Sequence, residues 1–286
     1  MHTVEINAKT TICAVIGNPI EHSLSPAIHN AAFSALGLNW AYVACKVEQI
    51  EKAIDGIRAL NIRGVSVTIP HKVKALPLLD AVDETARMIG SINTIVNTAG
   101  HLAGCNSDGD GALKALLDAG CNPEGKTVII LGSGGAARAI AFTLALKAPP
   151  RQLTILGVIE QEFLELSADI ARKTPTNPAA TMLTHGNLAQ ALRAGDVLVN
   201  CTPLGMYPKT DGTPVPSDLL HKNLVVFDIV YNPVKTVLLN NADRTGCVTI
   251  SGIEMFLNQA ALQFSLWTGK PAPVDVMRAV LKKHFR

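Results

Sequence analysis

Short apolar runs alternate with amphipathic segments along this chain of 286 residues. Thr11–Ile16, Trp40–Val47 and Gly64–Ile69 are apolar and rich in β-formers, which predicts strands. Ile50–Leu60 has the amphipathic spacing of a helix, and Ser25-Pro26 opens another, with Ser as N-cap and Pro at the first helical position. The alternation continues to the end of the chain and predicts α/β layers built on parallel sheets.

The second half begins a new series of elements. Gly111–Ala119 reads as a helix, and Thr127–Leu131 is an uninterrupted apolar strand, as expected for a strand buried on both faces. Gly252–Phe264 is helical in pattern and is predicted to return, with the C-terminal helix, to the first domain. We therefore predict two domains, one of residues 1–108 completed by 252–286, and a nucleotide-binding unit of residues 109–251.

Composition excludes several classes of protein. Apolar residues make up 48% of the chain and charged residues 17%, so a large core can form and disorder is not expected. The net charge is +2 without a basic run of five, which argues against a nucleic-acid partner. The six cysteines are scattered without a CxxC pair, and no apolar run reaches the ~20 residues that span a bilayer. We expect a soluble, cytoplasmic protein without a membrane partner, as a monomer or homodimer.

A glycine-rich turn follows the predicted strand Thr127–Leu131. Its sequence, Gly-Ser-Gly-Gly-Ala-Ala from position 132, fits the dinucleotide-binding pattern G-x-G-x-x-A and opens an apolar helix. Gly132 permits the tight turn, Gly134 lets the backbone approach a pyrophosphate, and Ala137 lets the helix pack on the strand. The helix N-terminus presents N–H groups and a positive dipole end to phosphates. Because a buried strand precedes the turn and a helix follows it, dinucleotide binding is favoured over a tight turn without a ligand.

The residue that selects between NAD and NADP is not evident. An acid at the end of the next strand favours NAD, and a basic residue favours NADP. That strand is predicted at Gln152–Leu156, and Gly-Val-Ile-Glu follows it without an Asp or Arg at the strand end. Glu160 and Arg151 are near in sequence, so the cofactor preference stays open.

Four polar clusters lie at strand ends or turns of the first domain: His22–Pro26, Thr68–Lys72, Ser91–Thr94 and Asn106–Gly109. Ligands of parallel α/β sheets collect at the carboxyl ends of strands, so these clusters are predicted to converge. Each has a simpler explanation alone, such as a helix N-cap for Ser25 or Asp108 and a solvated lysine for Lys72. Their occurrence together beside a dinucleotide fold favours a binding site.

In combination, these segments resemble the signature blocks of the shikimate dehydrogenase family. The matching blocks include GNPIEHSLSP, SVTIPHK, GSINT, GCNSDG, NCTPLGM and DIVYNP, in the family's order over nearly the whole chain. The resemblance implies an N-terminal α/β substrate domain with a mostly parallel sheet and a Rossmann-type, doubly wound domain. It also implies reversible NADP-linked reduction of 3-dehydroshikimate to shikimate, a step of aromatic amino acid biosynthesis.

The resemblance implies roles for the matching residues. The catalytic pair would be Lys72 and Asp108. The substrate's carboxylate and hydroxyls would be held by Ser23, Ser25, Thr68, Asn93, Tyr231 and Gln259. The cofactor would be bound by Glu84, Gly132, Ser133, Gly134, Gly135, Ala136, Ile229, Gly252 and Met255.

Three departures from the family pattern bear on function. Ser66 stands where Asn is commoner, and Ser107 replaces the usual Thr before Asp108 while keeping a hydroxyl. The Arg that would grip the 2′-phosphate of NADP is missing from residues 157–161. This leaves open an NAD-preferring quinate/shikimate or aminoshikimate-type dehydrogenase and, more remotely, a non-catalytic nucleotide-sensing protein on the same fold.

The chemistry requires a proton carrier within hydrogen-bond reach of the reacting hydroxyl. Our hypothesis is that Lys72 moves the proton while Asp108 orients the hydroxyl. A serine nucleophile is disfavoured because the chain has no G-x-S-x-G elbow. The histidines at positions 22, 71 and 101 lack further ligands nearby in sequence, so no metal site is predicted.

Overall fold

A computed structural model describes residues 6–285 and divides them into two compact units. Unit 1 extends to Ser107 and resumes at Leu257, whereas unit 2 is Asp108–Phe256. The domain boundaries predicted from the sequence, 108/109 and 251/252, lie one and five residues from these divisions.

Unit 1 is built on a six-stranded sheet in the order β2-β1-β3-β5-β6-β4. Its strands are β1 (Thr11–Gly17), β2 (Trp40–Lys46), β3 (Gly64–Val67), β4 (Ala81–Val82), β5 (Thr94–Thr98) and β6 (His101–Cys105). Its helices are α1 (Ser25–Ala35), α2 (Ile50–Ala59), α3 (Glu84–Ile89) and α10 (Val274–His284). Two helices cross the unit boundaries, α4 (Ser107–Asp118) and α9 (Gly252–Thr268).

Unit 2 contains a second six-stranded sheet, in which every pairing is parallel. Its strands are β7 (Thr127–Leu131), β8 (Gln152–Gly157), β9 (Ala179–Met182), β10 (Val197–Asn200), β11 (Val225–Asp228) and β12 (Val248–Ser251). The helices are α5 (Gly135–Lys147), α6 (Glu160–Lys173), α7 (His185–Leu192) and α8 (Val237–Thr245). The order β12-β11-β10-β7-β8-β9 is the doubly wound Rossmann order, and its direction reverses between β7 and β10.

The predicted α/β class with a Rossmann-type unit is confirmed, and the first sheet is mostly parallel, as predicted. Strand β5 runs antiparallel to both β3 and β6. The link from β5 to β6 is the two-residue turn Ala99-Gly100, whose φ angles of 52° and 89° are those of a tight hairpin turn. A two-residue connection can join only antiparallel neighbours.

Two predicted helix starts differ from the structure. Helix α1 begins at Ser25 itself, with Leu24 as the N-cap, so the Ser25 side chain does not cap the helix as predicted. Helix α4 begins at Ser107, four residues before the predicted Gly111, which places Asp108 within the first helical turn. The sequence pattern did not predict this start because positions 109 and 111 are glycine, which is a poor helix former.

Helix α1 carries a histidine into the apolar core of unit 1. His29 is fully buried, its ring stacks on Tyr42 with centroids 4.5 Å apart, and the Trp267 ring lies at 5.2 Å. Neither ring nitrogen has a hydrogen-bond partner among the residues that the structure describes. Burial therefore lowers the pKa of His29 to about 3, and the residue acts as a neutral aromatic core side chain.

None of the helices within residues 6–285 combines the length and the apolar character that crossing a membrane requires.

We expect His29 to make the fold sensitive to acid. Its pKa is about 3 in the folded protein and about 6.5 in the unfolded chain. The free energy of unfolding therefore decreases as the pH falls below the pKa of the unfolded chain. The loss approaches about 1.4 kcal/mol per pH unit at most. Urea unfolding at pH 7 and pH 5 should show a smaller acid loss for His29→Phe than for the wild type. The exposed His185→Phe should retain the wild-type loss, and equal losses in all three proteins would contradict the prediction.

Candidate active site

The loops after β1 and β3 lie side by side because these strands are parallel neighbours. Gly17 ends β1, and a Cβ at this position would lie 2.4 Å from the Thr68 side chain, so only glycine allows the close approach. Ser23 lies in the first loop, Ser25 begins α1 directly after it, and Lys72 follows Thr68 in the second loop. Four of the predicted substrate and catalytic residues therefore belong to one edge of the first sheet.

Strand β5 brings Asn93 to the same edge. Because β5 is antiparallel to β3, its start lies beside the end of β3, and the Val67 N–H donates to the Asn93 carbonyl at 2.8 Å. The preceding Ile92 N–H donates to the Lys72 carbonyl at 3.0 Å. This backbone hydrogen bond holds Lys72 beside Ile92, the residue directly before Asn93.

The side chain of Asn93 has a defined orientation. Its Oδ1 accepts hydrogen bonds from Ser107 N (2.8 Å), Ser107 Oγ (3.1 Å) and Thr94 Oγ1 (2.7 Å). The Ser107 N–H can only donate, so the atom that it contacts must be the carbonyl oxygen, and the Nδ2 donors point away from Ser107 and Thr94. The same bonds fix the backbone that leads into α4 and to Asp108, the next residue.

Helix α9 contributes to this edge from unit 1's C-terminal segment. Gln263 Nε2 donates to the Asn93 carbonyl at 3.2 Å and to Thr94 Oγ1 at 2.9 Å. Gln259 is also buried and lies one helical turn earlier, on the same face of α9. The structure therefore brings Gln259 to the side of the helix that contacts the start of β5.

In unit 2 the glycine-rich turn lies at the point where the strand order reverses. Gly132 has a φ of 101°, and a Cβ there would lie 3.2 Å from the carbonyl oxygen of Cys201, just after β10. Gly134 is the N-cap of α5 and, like Gly135, has open space where a Cβ would stand. Helix α5 thus begins with N–H groups that no capping side chain satisfies, and a pyrophosphate fits this cradle.

The region after β8 contains no basic side chain between residues 157 and 161. At Gly157 a Cβ would lie 2.8 Å from the ring of Phe163, so a side chain would not fit without a shift. Val158 and Ile159 follow with 71% and 51% of their surface exposed, and Glu160 begins α6. The Ser133 hydroxyl donates to Glu162 at 2.9 Å. Acidic rather than basic groups therefore flank the glycine turn on this side.

Two of the residues predicted at the nicotinamide are packed together. A Cβ on Gly252 would lie 2.2 Å from the carbonyl oxygen of Ile229, so glycine is required for this approach. Met255 is buried one turn further along α9. Tyr231 is 38% exposed and stacks on Phe256 at 5.3 Å between ring centroids, which holds it beside the same segment.

A buried polar network at the ends of β10 and β11 has no counterpart among the predicted site residues. Asp228 accepts hydrogen bonds from Asn200 Nδ2 (2.9 Å), Thr236 Oγ1 (2.6 Å) and Val230 N (3.1 Å). Burial raises the pKa of Asp228, and these bonds oppose the rise. The signal in the sequence is a polar residue at the end of each of these two apolar strands, where the NCTPLGM and DIVYNP blocks begin.

Two of the predicted assignments involve residues of both units. Glu84 is exposed at the start of α3 in unit 1, whereas the glycine turn belongs to unit 2. Lys72 likewise belongs to unit 1 and Asp108 to unit 2. Their roles stay predictions. Within the described residues no three His, Cys, Asp or Glu side chains are grouped as a metal ion would require.

Comparison with known proteins shows which protein family this sequence is similar to. Residues 15–95 match the shikimate dehydrogenase substrate binding domain, and residues 252–282 match the shikimate 5′-dehydrogenase C-terminal domain. The chain is 46% identical to a shikimate dehydrogenase (NADP(+)) of Desulforamulus reducens over 97% of both chains.

Two solved structures are similar over almost their whole length. One is shikimate 5-dehydrogenase from Listeria monocytogenes in complex with shikimate and NAD (TM-score 0.93, 36% identity, 98% of this chain and 99% of that one). The other is quinate dehydrogenase from Corynebacterium glutamicum in complex with NAD (TM-score 0.89, 28% identity, 96% and 99%).

We expect Asp228→Ala to lower the free energy of unfolding by about 3 kcal/mol or more, because it leaves buried donors of Asn200, Thr236 and Val230 unsatisfied. Urea unfolding at pH 7 measures the change. The control is Asp218→Ala, which removes an exposed carboxylate from the same unit and should cost little. Similar losses in the two variants would show that the network does not stabilise unit 2.

Proposed function

Because the chain belongs to the shikimate dehydrogenase family, we propose that it catalyses the reversible, NADP-linked reduction of 3-dehydroshikimate to shikimate. The observation that carries this proposal is the 46% identity to a shikimate dehydrogenase (NADP(+)) over 97% of both chains. The match covers both units, and so includes the glycine turn as well as the polar edge of the first sheet. The reaction interconverts a ketone and a secondary alcohol by transfer of a hydride and a proton.

The cofactor supplies the hydride donor or acceptor at its nicotinamide ring when it is bound. The turn of Gly132, Ser133, Gly134, Gly135 and Ala136 would hold its pyrophosphate, since the first N–H groups of α5 lack a capping side chain. The segment of Ile229, Gly252 and Met255 would line the nicotinamide. Glu84 would contact the cofactor from unit 1.

The substrate would be oriented by neutral donors. The hydroxyls of Ser23 and Ser25 suit its carboxylate, because they donate hydrogen bonds without adding charge. Thr68, Asn93 and Gln259 would bind its hydroxyls, and Tyr231 would contact the substrate from unit 2. Such anchoring fixes the orientation of the carbinol carbon before the chemical step.

Lys72 would carry the proton. In the reductive direction its ammonium donates a proton to the oxygen that becomes the hydroxyl, and in the oxidative direction the neutral amine accepts it. Asp108 would accept a hydrogen bond from the same hydroxyl and so orient it. Metal ions have no role in this scheme.

We also place the enzyme in the cytoplasm, as a monomer or homodimer. The compartment is supported by the six cysteines, all of which are free thiols in the structure, as expected where thiols are kept reduced.

A second candidate is an NAD-preferring shikimate or quinate dehydrogenase. It is favoured by the exposed Val158 and Ile159 at the end of β8, where a basic residue would be needed to bind a 2′-phosphate. The solved Listeria and Corynebacterium proteins were both found with NAD.

The deciding experiment measures reduced nicotinamide by absorbance with shikimate or quinate, each with NADP⁺ or NAD⁺. We expect the highest kcat/KM with shikimate and NADP⁺. Preference for NAD⁺ or quinate would move the protein to the second candidate, and absence of turnover in all four pairings would overturn the assignment as an enzyme of this type.

The same assay tests the origin of cofactor preference. We expect Val158→Arg to raise the ratio of kcat/KM for NADP⁺ over NAD⁺ by about ten-fold, because the new guanidinium can pair with the 2′-phosphate. Val158→Gln is the control, since it adds length without charge. An equal change in both variants would show that charge at this position does not select the cofactor.

We expect Lys72→Met to lower kcat by about 10²–10⁴ with little change in the Kd for shikimate, as for loss of a general acid–base. The matched control is Lys74→Met, which removes an exposed ammonium two residues away and should preserve turnover. Near-normal kcat in Lys72→Met would exclude this residue as the proton carrier.

A further inference from the structure

A chain of buried hydrogen bonds lies behind Asn93. The Tyr42 hydroxyl donates to Ser66 Oγ at 2.7 Å, and the Ser66 hydroxyl donates to Gln263 Oε1 at 2.7 Å. Gln263 Nε2 then donates to Thr94 Oγ1 at 2.9 Å, and the Thr94 hydroxyl donates to Asn93 Oδ1 at 2.7 Å. All five side chains are at least nine-tenths buried.

The direction of this chain is fixed by one backbone atom. The Asn93 carbonyl can only accept, so Gln263 must present Nε2 to it and Oε1 to Ser66. Ser66 must therefore donate to Gln263 and accept from Tyr42. Burial raises the pKa of Tyr42, which keeps its hydroxyl protonated and able to donate. The hydrogen bonds from Tyr42 through Ser66 and Gln263 to Thr94 therefore each have one direction.

The fixed direction determines how the Asn93 side chain is presented. The two Nε2 hydrogens of Gln263 go to the Asn93 carbonyl and to Thr94. The Thr94 hydrogen then goes to Asn93 Oδ1 at 2.7 Å, which is nearer than Ser107 Oγ at 3.2 Å. With its oxygen held there, Asn93 keeps Nδ2 on the opposite side of the amide. Without the Gln263 donor, Thr94 could turn its hydrogen elsewhere and Asn93 would lose one of its three donors.

We propose that Gln263 is a positioning residue for substrate: acting through Thr94, it holds the Asn93 amide in the orientation that offers Nδ2 to a substrate hydroxyl. This inference rests on the proposed function, because it assigns Asn93 to the substrate. Gln263 itself acts only through Asn93 and Thr94. Two of the departures from the family pattern take part in this support: the Ser66 hydroxyl donates to Gln263, and the Ser107 hydroxyl donates to Asn93.

The test is the variant Gln263→Met, which keeps the side-chain length and removes all three hydrogen bonds. We expect KM for shikimate to rise about ten-fold, as for loss of one well-oriented hydrogen bond, while KM for NADP⁺ stays within about two-fold. Thr94→Val, a close isostere that removes only the hydroxyl, should shift KM in the same direction and serves if Gln263→Met does not fold.

Trp267→Phe is the matched control for a purely structural effect. Trp267 lies one turn after Gln263 on α9 and also donates to β5, but its hydrogen bond goes to the Ile95 carbonyl at 3.0 Å. We expect this variant to melt at a lower temperature and to keep KM for shikimate within about two-fold.

A double-mutant cycle shows whether Gln263 acts through Asn93. In an Asn93→Ala background, Gln263→Met should raise KM for shikimate by less than about two-fold, since no amide remains to be oriented. A ten-fold effect that persists in this background, an unchanged KM in Gln263→Met and Thr94→Val, or an equal rise in Trp267→Phe would overturn the inference. An inactive wild type would instead overturn the proposed function, and the inference with it.

Discussion

The antiparallel pairing of β5 with β3 is the constraint on which the polar edge of unit 1 depends. Because β5 runs antiparallel to β3, β5 begins where β3 ends. Asn93 therefore lies beside the loop of Thr68 and Lys72, although some twenty residues separate them in sequence. A parallel β5 would have placed its start at the opposite edge of the sheet.

Unit 2 obtains its candidate binding edge by a different constraint. All six strands are parallel, so their carboxyl ends share one edge, and the reversal of strand order between β7 and β10 opens a crevice there. Gly132 can approach the backbone of Cys201 because it has no Cβ and adopts a positive φ. The buried bonds of Asp228 to Asn200 and Thr236 then hold the ends of β10 and β11 in place.

Buried polar groups in unit 1 fall into two kinds with different physical roles. Asn93 and Gln263 are buried with several hydrogen bonds each, so their burial fixes an orientation. His29 is buried without a partner and stays neutral among aromatic rings. The first kind suits a site that must hold donors in one direction, whereas the second contributes packing and a sensitivity to acid.

Local apolar periodicity was sufficient to predict the α/β class and the bounds of β7. The glycine-rich turn was predictable because only glycine readily adopts the positive φ that the turn requires. The order of the sequence motifs along the chain was also sufficient to identify the family. The folded structure was needed to identify the antiparallel orientation of β5, the Asp228 network and the hydrogen bonds from Gln263 to Asn93. Those features join residues up to about 170 positions apart, and local patterns do not encode such pairings because they arise from sheet register and helix packing.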